Sequence, residues 1–458
     1  MSVTCSVTTP VSPPTCRPKT LSRGSGALAL GIRVAGAGGM FLSQIVLARS
    51  LGVTAFGEYS LVIAWLQVLT VVAKLGLDNS SLRYVSEYVT KNDLGRLHRF
   101  QWEALRASRW ASLAVMLGLI TVALFSWRSL GEGVAPCLIV VAFMIPLVAI
   151  RQIQEASLRG IGLLFESQIG TVVWPWTLCL LAVLVWQTTL FPMTSLVATS
   201  LHFLAVTVVF LMVLTFSRRS VLRQAGDSPT GIDSCRPQWT HTALAFLLAE
   251  ILIAFKGRAS VALAGMLLDR DAVGLYGAME KFADVSILVS QSLGLVIAPQ
   301  FASLYAAGRY ADMRRLMWQG QILGLSTTLP VAFAVAFFGD SIFLLLGPGF
   351  REGWGVLITL LCSACIAAFS GPAAYVLQMT GRERTMLVIT AASAATNILL
   401  SLILMRVYGL LGLGMAQMAT SFVWMGGVRW SLSRHPVWQQ VAADAARHPG
   451  DGPQEVSR

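Results

Sequence analysis

Ten charged side chains interrupt long apolar runs in this sequence: Arg33, Lys74, Arg151, Lys256, Arg258 and Lys281 against Glu155, Glu250, Glu280 and Asp284. A cation at the centre of a membrane-crossing helix costs about 2.5–3.5 kcal/mol, so six of them facing lipid would cost roughly 15–20 kcal/mol. They are therefore expected against a watery cavity, a partner charge or the headgroup boundary. The chemistry that suits a set with more cations than acids is the binding of an anion. Among the acids, Tyr276, Glu280, Asp284, Ile287 and Gln291 share one helical stripe, and two carboxylates four apart in a low dielectric do not both ionise cheaply. Glu250, Glu280 and Asp284 are thus candidates for coupling to H+ or Na+. The structural alternative is a closed ion-pair cluster completed by Lys281, Lys256 or Arg258.

Spacing separates cavity-lining cations from anchored ones. Ser60, Ile63, Gln67, Thr70 and Lys74 recur at three and four residues and form one mostly polar stripe. Arg33, Ala37, Met40 and Gln44 do the same in the preceding run, where Gly31, Ala35, Gly39 and Ser43 make a small-residue face for close helix contact. A stripe continuing into the middle of a span is not explained by a lysine reaching for the headgroups, although Lys74 is close enough to its helix end to do so. Arg151 has Glu155 four residues on as a structural partner. Six cations against four anions lean towards an anionic ligand and away from an organic cation. Trp174, Trp176 and Trp186 can stack on sugars, but tryptophan in such runs is more often an interfacial anchor.

The elements that must carry these residues are transmembrane helices. In 458 residues, 55% are hydrophobic and only 12% charged, with a mean hydropathy of +0.69, far from the roughly one quarter charged of soluble domains. Windows of about 20 apolar residues fall near 25–48, 59–77, 110–128, 136–157, 168–187, 194–216, 242–266, 275–298, 318–338, 354–379, 387–406 and 413–430. Runs so long and continuous exclude a β-barrel, and prolines at 146, 175, 330 and 372 are candidate kinks. With the amino terminus inside, 23 of the 34 Lys and Arg fall on the cytoplasmic side, the positive-inside pattern. The net charge of +12 is then a topological signal, and no nucleic-acid partner is expected. Both termini are expected in the cytoplasm of a multi-pass protein of the inner (cytoplasmic) membrane. The apolar run after residue 24 is too long for a signal peptide and reads as a retained first helix. Seven cysteines imply no disulfide framework, and Cys362 and Cys365 inside an apolar run read as packing residues. No phosphate loop or zinc-protease signature is present; neither enzymatic activity nor a cofactor is expected. His202 reads as a packed or hydrogen-bonded core histidine.

An internal repeat organises the spans. An offset of 217 places Gly57 and Tyr59 on Gly274 and Tyr276, and Tyr84 and Tyr88 on Phe301 and Tyr305. With a basic, Gly/Ser/Pro-containing linker at 217–241, this implies an amino-terminal lobe at 25–216 and a carboxy-terminal lobe at 242–430, flanked by tails at 1–24 and 431–458. Two parallel six-helix halves about an axis along the membrane normal are a recurrent transporter plan. The expected fold is all-α, polytopic and pseudo-two-fold.

The stretches LARSLGVTAFGEYSLVIAWLQVLTVVAKLGLDNSSLRYVSEY, AVGLYGAMEKFADV and YVLQMTGRERTMLVIT resemble the polysaccharide-unit flippases of the multidrug, oligosaccharidyl-lipid and polysaccharide exporter superfamily, a MATE-like fold. The resemblance implies translocation of a polyprenyl-diphosphate-linked glycan for cell-surface polysaccharide synthesis by alternating access. It also implies working partners in the membrane lipids and in the polymerase and glycosyltransferases of the same pathway. The six cations then become the diphosphate-binding set. An ion-coupled multidrug or small-molecule antiporter is the second reading within transport. A membrane glycosyltransferase or polymerase is the alternative of another class, disfavoured because the longest external segment has about fifteen residues.

Overall fold

The computed structural model describes residues 23–91, 93–187, 192–224, 239–347 and 349–434. The amino-terminal tail, most of the linker and the carboxy-terminal tail expected from sequence lie outside the described residues. Thirteen α-helices follow in order among them: α1 (Arg23–Lys74), α2 (Leu77–Thr90), α3 (Leu94–Phe125), α4 (Trp127–Ile161), α5 (Leu164–Gln187), α6 (Ser195–Gln224), α7 (Trp239–Leu267), α8 (Arg270–Ala306), α9 (Tyr310–Phe337), α10 (Gly339–Leu346), α11 (Trp354–Met379), α12 (Glu383–Tyr408) and α13 (Leu410–Ser433). Helices are what a bilayer demands, because every backbone donor and acceptor must be satisfied within the span. Eight helical stretches among the described residues are long and apolar enough to cross a membrane. Each of the twelve expected spans lies on a helix, the first two sharing α1 across a break at Gly52 (φ 73, ψ 176). The chain is an all-α polytopic membrane protein.

Two helices depart from the expected boundaries for a physical reason. α3 begins at Leu94, well before the apolar run at 110, because Asp93 caps it by accepting from the Arg96 amide at 3.0 Å. Leu97, Phe100 and Ala104 on its early turns are also buried, packed with α2 residues such as Val85, Tyr84 and Tyr88. α1 stops at Lys74 because Leu75 (φ 54) and Gly76 (φ 67) both take left-handed conformations. Leu75 is the non-glycine residue in that region among those described, a conformation that costs an L-residue about 1–2 kcal/mol. At the corresponding place in the second half α8 runs unbroken to Ala306, so the repeat is symmetric in its spans and asymmetric at this break. The prolines at 146, 175, 330 and 372 all sit inside continuous helices.

The helices form two bundles. α3 packs on α4, α4 on α6, and α1 on α4 and α5; in the second half α8 packs on α9 and α11, α12 on α13, and α7 on α12. The bundles meet chiefly where α1 lies against α7 and α8, and much of the core sits at that seam: Phe56, Tyr59, Tyr276, Phe282 and Phe350 are each at most 2% exposed. Phe41 meets Phe282 edge-on at 4.9 Å between ring centroids.

The 217-residue offset has a direct structural counterpart. A Cβ added at Gly57 would strike the Arg270 carbonyl and lie 2.9 Å from the Gly274 nitrogen; one added at Gly274 would strike the Val53 carbonyl and lie 3.0 Å from the Gly57 nitrogen. Val53 and Arg270 are themselves 217 residues apart. Contacts in which residue i meets j and the equivalent of j meets the equivalent of i are those of a two-fold axis. The two glycines therefore sit on the pseudo-axis, and the absence of side chains lets the two backbones touch.

Candidate functional site

A cavity of about 360 Å³ lies between α1, α4, α5, α6 and α8. Its α1 wall holds four of the five residues of the expected polar stripe, Ile63, Gln67, Thr70 and Lys74, joined by Tyr59 and Leu66, with Met40 and Gln44 from the first span; the fifth, Ser60, lines a small adjoining recess. Arg151 and Gln152 enter from α4, Trp174 from α5, His202 from α6 and Lys281 from α8. Three of the six expected cations, Lys74, Arg151 and Lys281, are thus brought to one cavity, and its described lining contains no carboxylate. Arg33, Lys256 and Arg258 have side chains outside the described residues.

Each of the three cations is backed by acids standing behind the wall. Lys74 Nζ lies 2.6 Å from Asp78 Oδ2 and 2.8 Å from Glu250 Oε2, with all three side chains at most 14% exposed. Asn79 Nδ2 donates to Glu250 Oε1 at 2.6 Å. Glu250 belongs to α7, so this cluster ties the two bundles together at one end of the cavity. Gly76 packs beside it, where an added Cβ would lie 2.6 Å from the Leu247 nitrogen of α7. Lys74 therefore faces the cavity but is held, and Glu250 stands opposite it, on the far side of the seam, not beside Lys281. Arg151 donates from Nη1 to Glu155 at 2.7 Å, one helical turn away. Its buried Nε has no partner. Lys281 is held loosely, 3.5 Å from Asp284 and 4.0 Å from Glu280. Asp284 is half exposed, at 53% of its side chain, so the expected Tyr276–Glu280–Asp284 stripe runs from full burial to the surface along α8. Glu280 and Lys281 also line a small recess of about 30 Å³ with Gln44 and Gln67.

The opposite end of the cavity carries a second inter-bundle cluster that the sequence did not single out. Glu58, 7% exposed, accepts a charge-assisted hydrogen bond from Arg270 and one from Ser195 Oγ at 2.6 Å. It thereby joins α1, α6 and α8. The signal was present, since Glu58 lies inside the repeated GxY and Arg270 four residues before Gly274. Read from sequence, however, Arg270 was one more loop charge. Between the two ends, Tyr59 Oη and His202 Nδ1 are hydrogen-bonded at 2.8 Å. Trp174 stacks on the His202 ring with centroids 5.1 Å apart and planes within 9°. Cys362 is exposed and Cys365 half-buried, both free.

Two helical bundles about a pseudo-two-fold axis, with a cavity lined by the first bundle and by Lys281 of the second, define the class: a MATE-like fold. A solved MATE multidrug-resistance transporter of the MOP superfamily, in its inward-facing conformation, matches with a TM-score of 0.68 at 14% identity, over 91% of this chain and 98% of that one. The lipid II flippase MurJ, inward closed, matches at 0.64 and 11% identity, over 91% and 89%. A MOP superfamily transporter from Pyrococcus furiosus, described as having a binding pocket of reversed polarity, matches at 0.60 and 13%, over 92% and 97%. Residues 24–305 match the family model described as polysaccharide biosynthesis protein, and residues 245–403 match the MatE model. The chain belongs to the polysaccharide biosynthesis protein family. No curated protein sequence matches it significantly.

Proposed function

We propose that this protein is a flippase that carries a polyprenyl-diphosphate-linked oligosaccharide across the inner membrane for cell-surface polysaccharide synthesis, and that it is not an enzyme. The observation that carries the reading is the cavity surface: three cationic side chains and no acid among its described lining residues. An entering diphosphate can take the place of the carboxylates that hold these cations, whereas an organic cation meets the cationic groups first. Arg151 offers a fork of donors with an unpaired Nε, and Lys281 is the cation least committed to its neighbours. Family membership and the fold shared with a lipid II flippase agree with this substrate class. The fold is equally that of multidrug transporters, and the antiporter alternative would be favoured by an acidic cavity.

With both termini in the cytoplasm, the Lys74 end faces inwards and the Glu58 end outwards. The lobes at 25–216 and 242–430 rock about the seam, opening one end while the other is held. Lys74 belongs both to the inner cluster and to the cavity, so an entering diphosphate takes the place that Glu250 occupies when that end is shut. Binding drives the cycle only through such a difference in affinity between the two orientations. Glu280 and Asp284 beside Lys281 are the carboxylates through which H+ or Na+ would couple, and Asp284→Asn would then remove gradient dependence while sparing binding. The glycan would pass onward to the polymerase of its pathway.

The test is translocation of a polyprenyl-diphosphate sugar in proteoliposomes. Charge-assisted hydrogen bonds are worth about 1.5–3 kcal/mol, so Arg151→Gln and Lys281→Gln are each expected to lower the rate by roughly 10- to 150-fold at wild-type insertion levels. Unchanged rates in both variants would overturn the assignment.

A further inference from the structure

We infer that Trp174, stacked on His202, is the platform on which the pyranose ring next to the diphosphate lies. The inference rests on the flippase reading and adds to it a subsite for sugar. Three tryptophans share the fifth span and its flank, and the structure separates them. Trp176 donates its indole N–H to the Ala35 carbonyl at 3.0 Å, Trp186 is 48% exposed on the outside of the bundle, and only Trp174 of the three lines the cavity.

The position of Trp174 is set by its neighbours. His202 lies parallel to the indole and is itself fixed by the hydrogen bond to the buried Tyr59, so the orientation of the aromatic plane is held. Gly170, one helical turn earlier on α5, packs against the Arg151–Glu155 pair, and a Cβ there would lie 3.3 Å from Arg151 Nη1. Four residues of α-helix rise about 6 Å. The guanidinium therefore meets α5 one turn before the residue that carries the indole, and both line the same cavity.

The surrounding groups suit a pyranose better than a lipid chain or a second phosphate. A sugar ring presents an apolar C–H face and a rim of hydroxyls, each both donor and acceptor. Gln44, Gln67 and Gln152 line the same cavity, and amides are the uncharged side chains that supply both functions. None of the three side-chain amides hydrogen-bonds to another described residue. An isoprenoid chain would leave three amides unsatisfied, which is costly, and a phosphate would have no use for the indole face.

The experiment measures binding of two probes to the purified protein in nanodiscs: a polyprenyl diphosphate, and the same lipid carrying one hexose, supplied in gluco and galacto configurations with and without an N-acetyl group. Wild type is expected to bind at least one sugar-bearing lipid about three- to tenfold more tightly than the bare diphosphate, the range of an aromatic contact. Trp174→Ala is expected to bring that ratio to about one with bare-lipid affinity unchanged, Trp174→Phe to keep part of it, and Tyr59→Phe to weaken it by loosening His202. Arg151→Gln should weaken both probes and leave the ratio in place. A ratio of one in wild type for every sugar, an unchanged ratio in Trp174→Ala, or equal loss of both probes in that variant overturns the platform. If wild type binds neither probe, the flippase reading falls and takes the platform with it.

Discussion

Replacing either axis glycine by alanine should hold the protein open at the Glu58 end. At Gly57 the added Cβ would meet the Arg270 carbonyl and the Gly274 nitrogen, and at Gly274 it would meet the Val53 carbonyl and the Gly57 nitrogen. All of these are backbone atoms, so no rotamer change can make room and the bundles must part locally. Overpacking of a close contact costs about 1–3 kcal/mol. The cost falls only on the state in which the glycines touch, so the ratio of open to closed at that end rises by roughly 5- to 150-fold. Thr54 and Asp271 are exposed, lie 217 residues apart, and flank the contact as a symmetric pair for spin labels on a background without native cysteines. Pulsed electron–electron distance measurements should show a long-distance population growing in Gly57→Ala and in Gly274→Ala, with the double variant less than additive because both act on one contact. Gly38→Ala, where an added Cβ meets nothing within 4 Å, is the control and should leave the distribution as in wild type. Distributions unchanged in both axis variants would refute the argument that this contact closes the end.

The two ion clusters give further tests. Lys74→Ala leaves Asp78 and Glu250 facing each other without their cation and should cost about 3–5 kcal/mol, read as a lowered unfolding midpoint. Glu250→Gln keeps the Asp78 pair and should cost less; no loss at all would show that the inter-bundle arm carries no share. Glu58→Gln removes one charged partner of Arg270, whose side chain is 42% exposed, so about 1 kcal/mol or less is expected. The reversed pair Glu58→Arg with Arg270→Glu should recover most of the closed population that Glu58→Arg alone loses in the same distance measurement. A reporter fused after Arg434 that folds only in the cytoplasm should be active, and an inactive one would invert the proposed orientation.

The fold was largely legible because a transmembrane span is a one-dimensional signal: about 20 apolar residues have one way to satisfy their backbone in lipid. Where membrane no longer dictates structure, tertiary contact does, and the early start of α3 depends on α2 being there to bury Leu97 and Phe100. The polar stripe of α1 was legible for the same reason as the spans, since helical spacing places Ile63, Gln67, Thr70 and Lys74 on one wall whatever stands opposite. Partners across the seam were not. Asp78 is a turn from Lys74 and visible in sequence, whereas Glu250 is 176 residues away and nothing local pairs it with that lysine. The same holds for Glu58 and Arg270. An inventory of charges shows how many must be compensated in lipid, and so indicates the class of ligand, but compensation by a ligand and by the other bundle look alike until the bundles are brought together. Lys74 meets both demands, lining the cavity while bound to the opposite bundle. On the proposed reading, a residue that cannot satisfy the ligand and Glu250 fully at once would serve alternating access at the end proposed to face the cytoplasm.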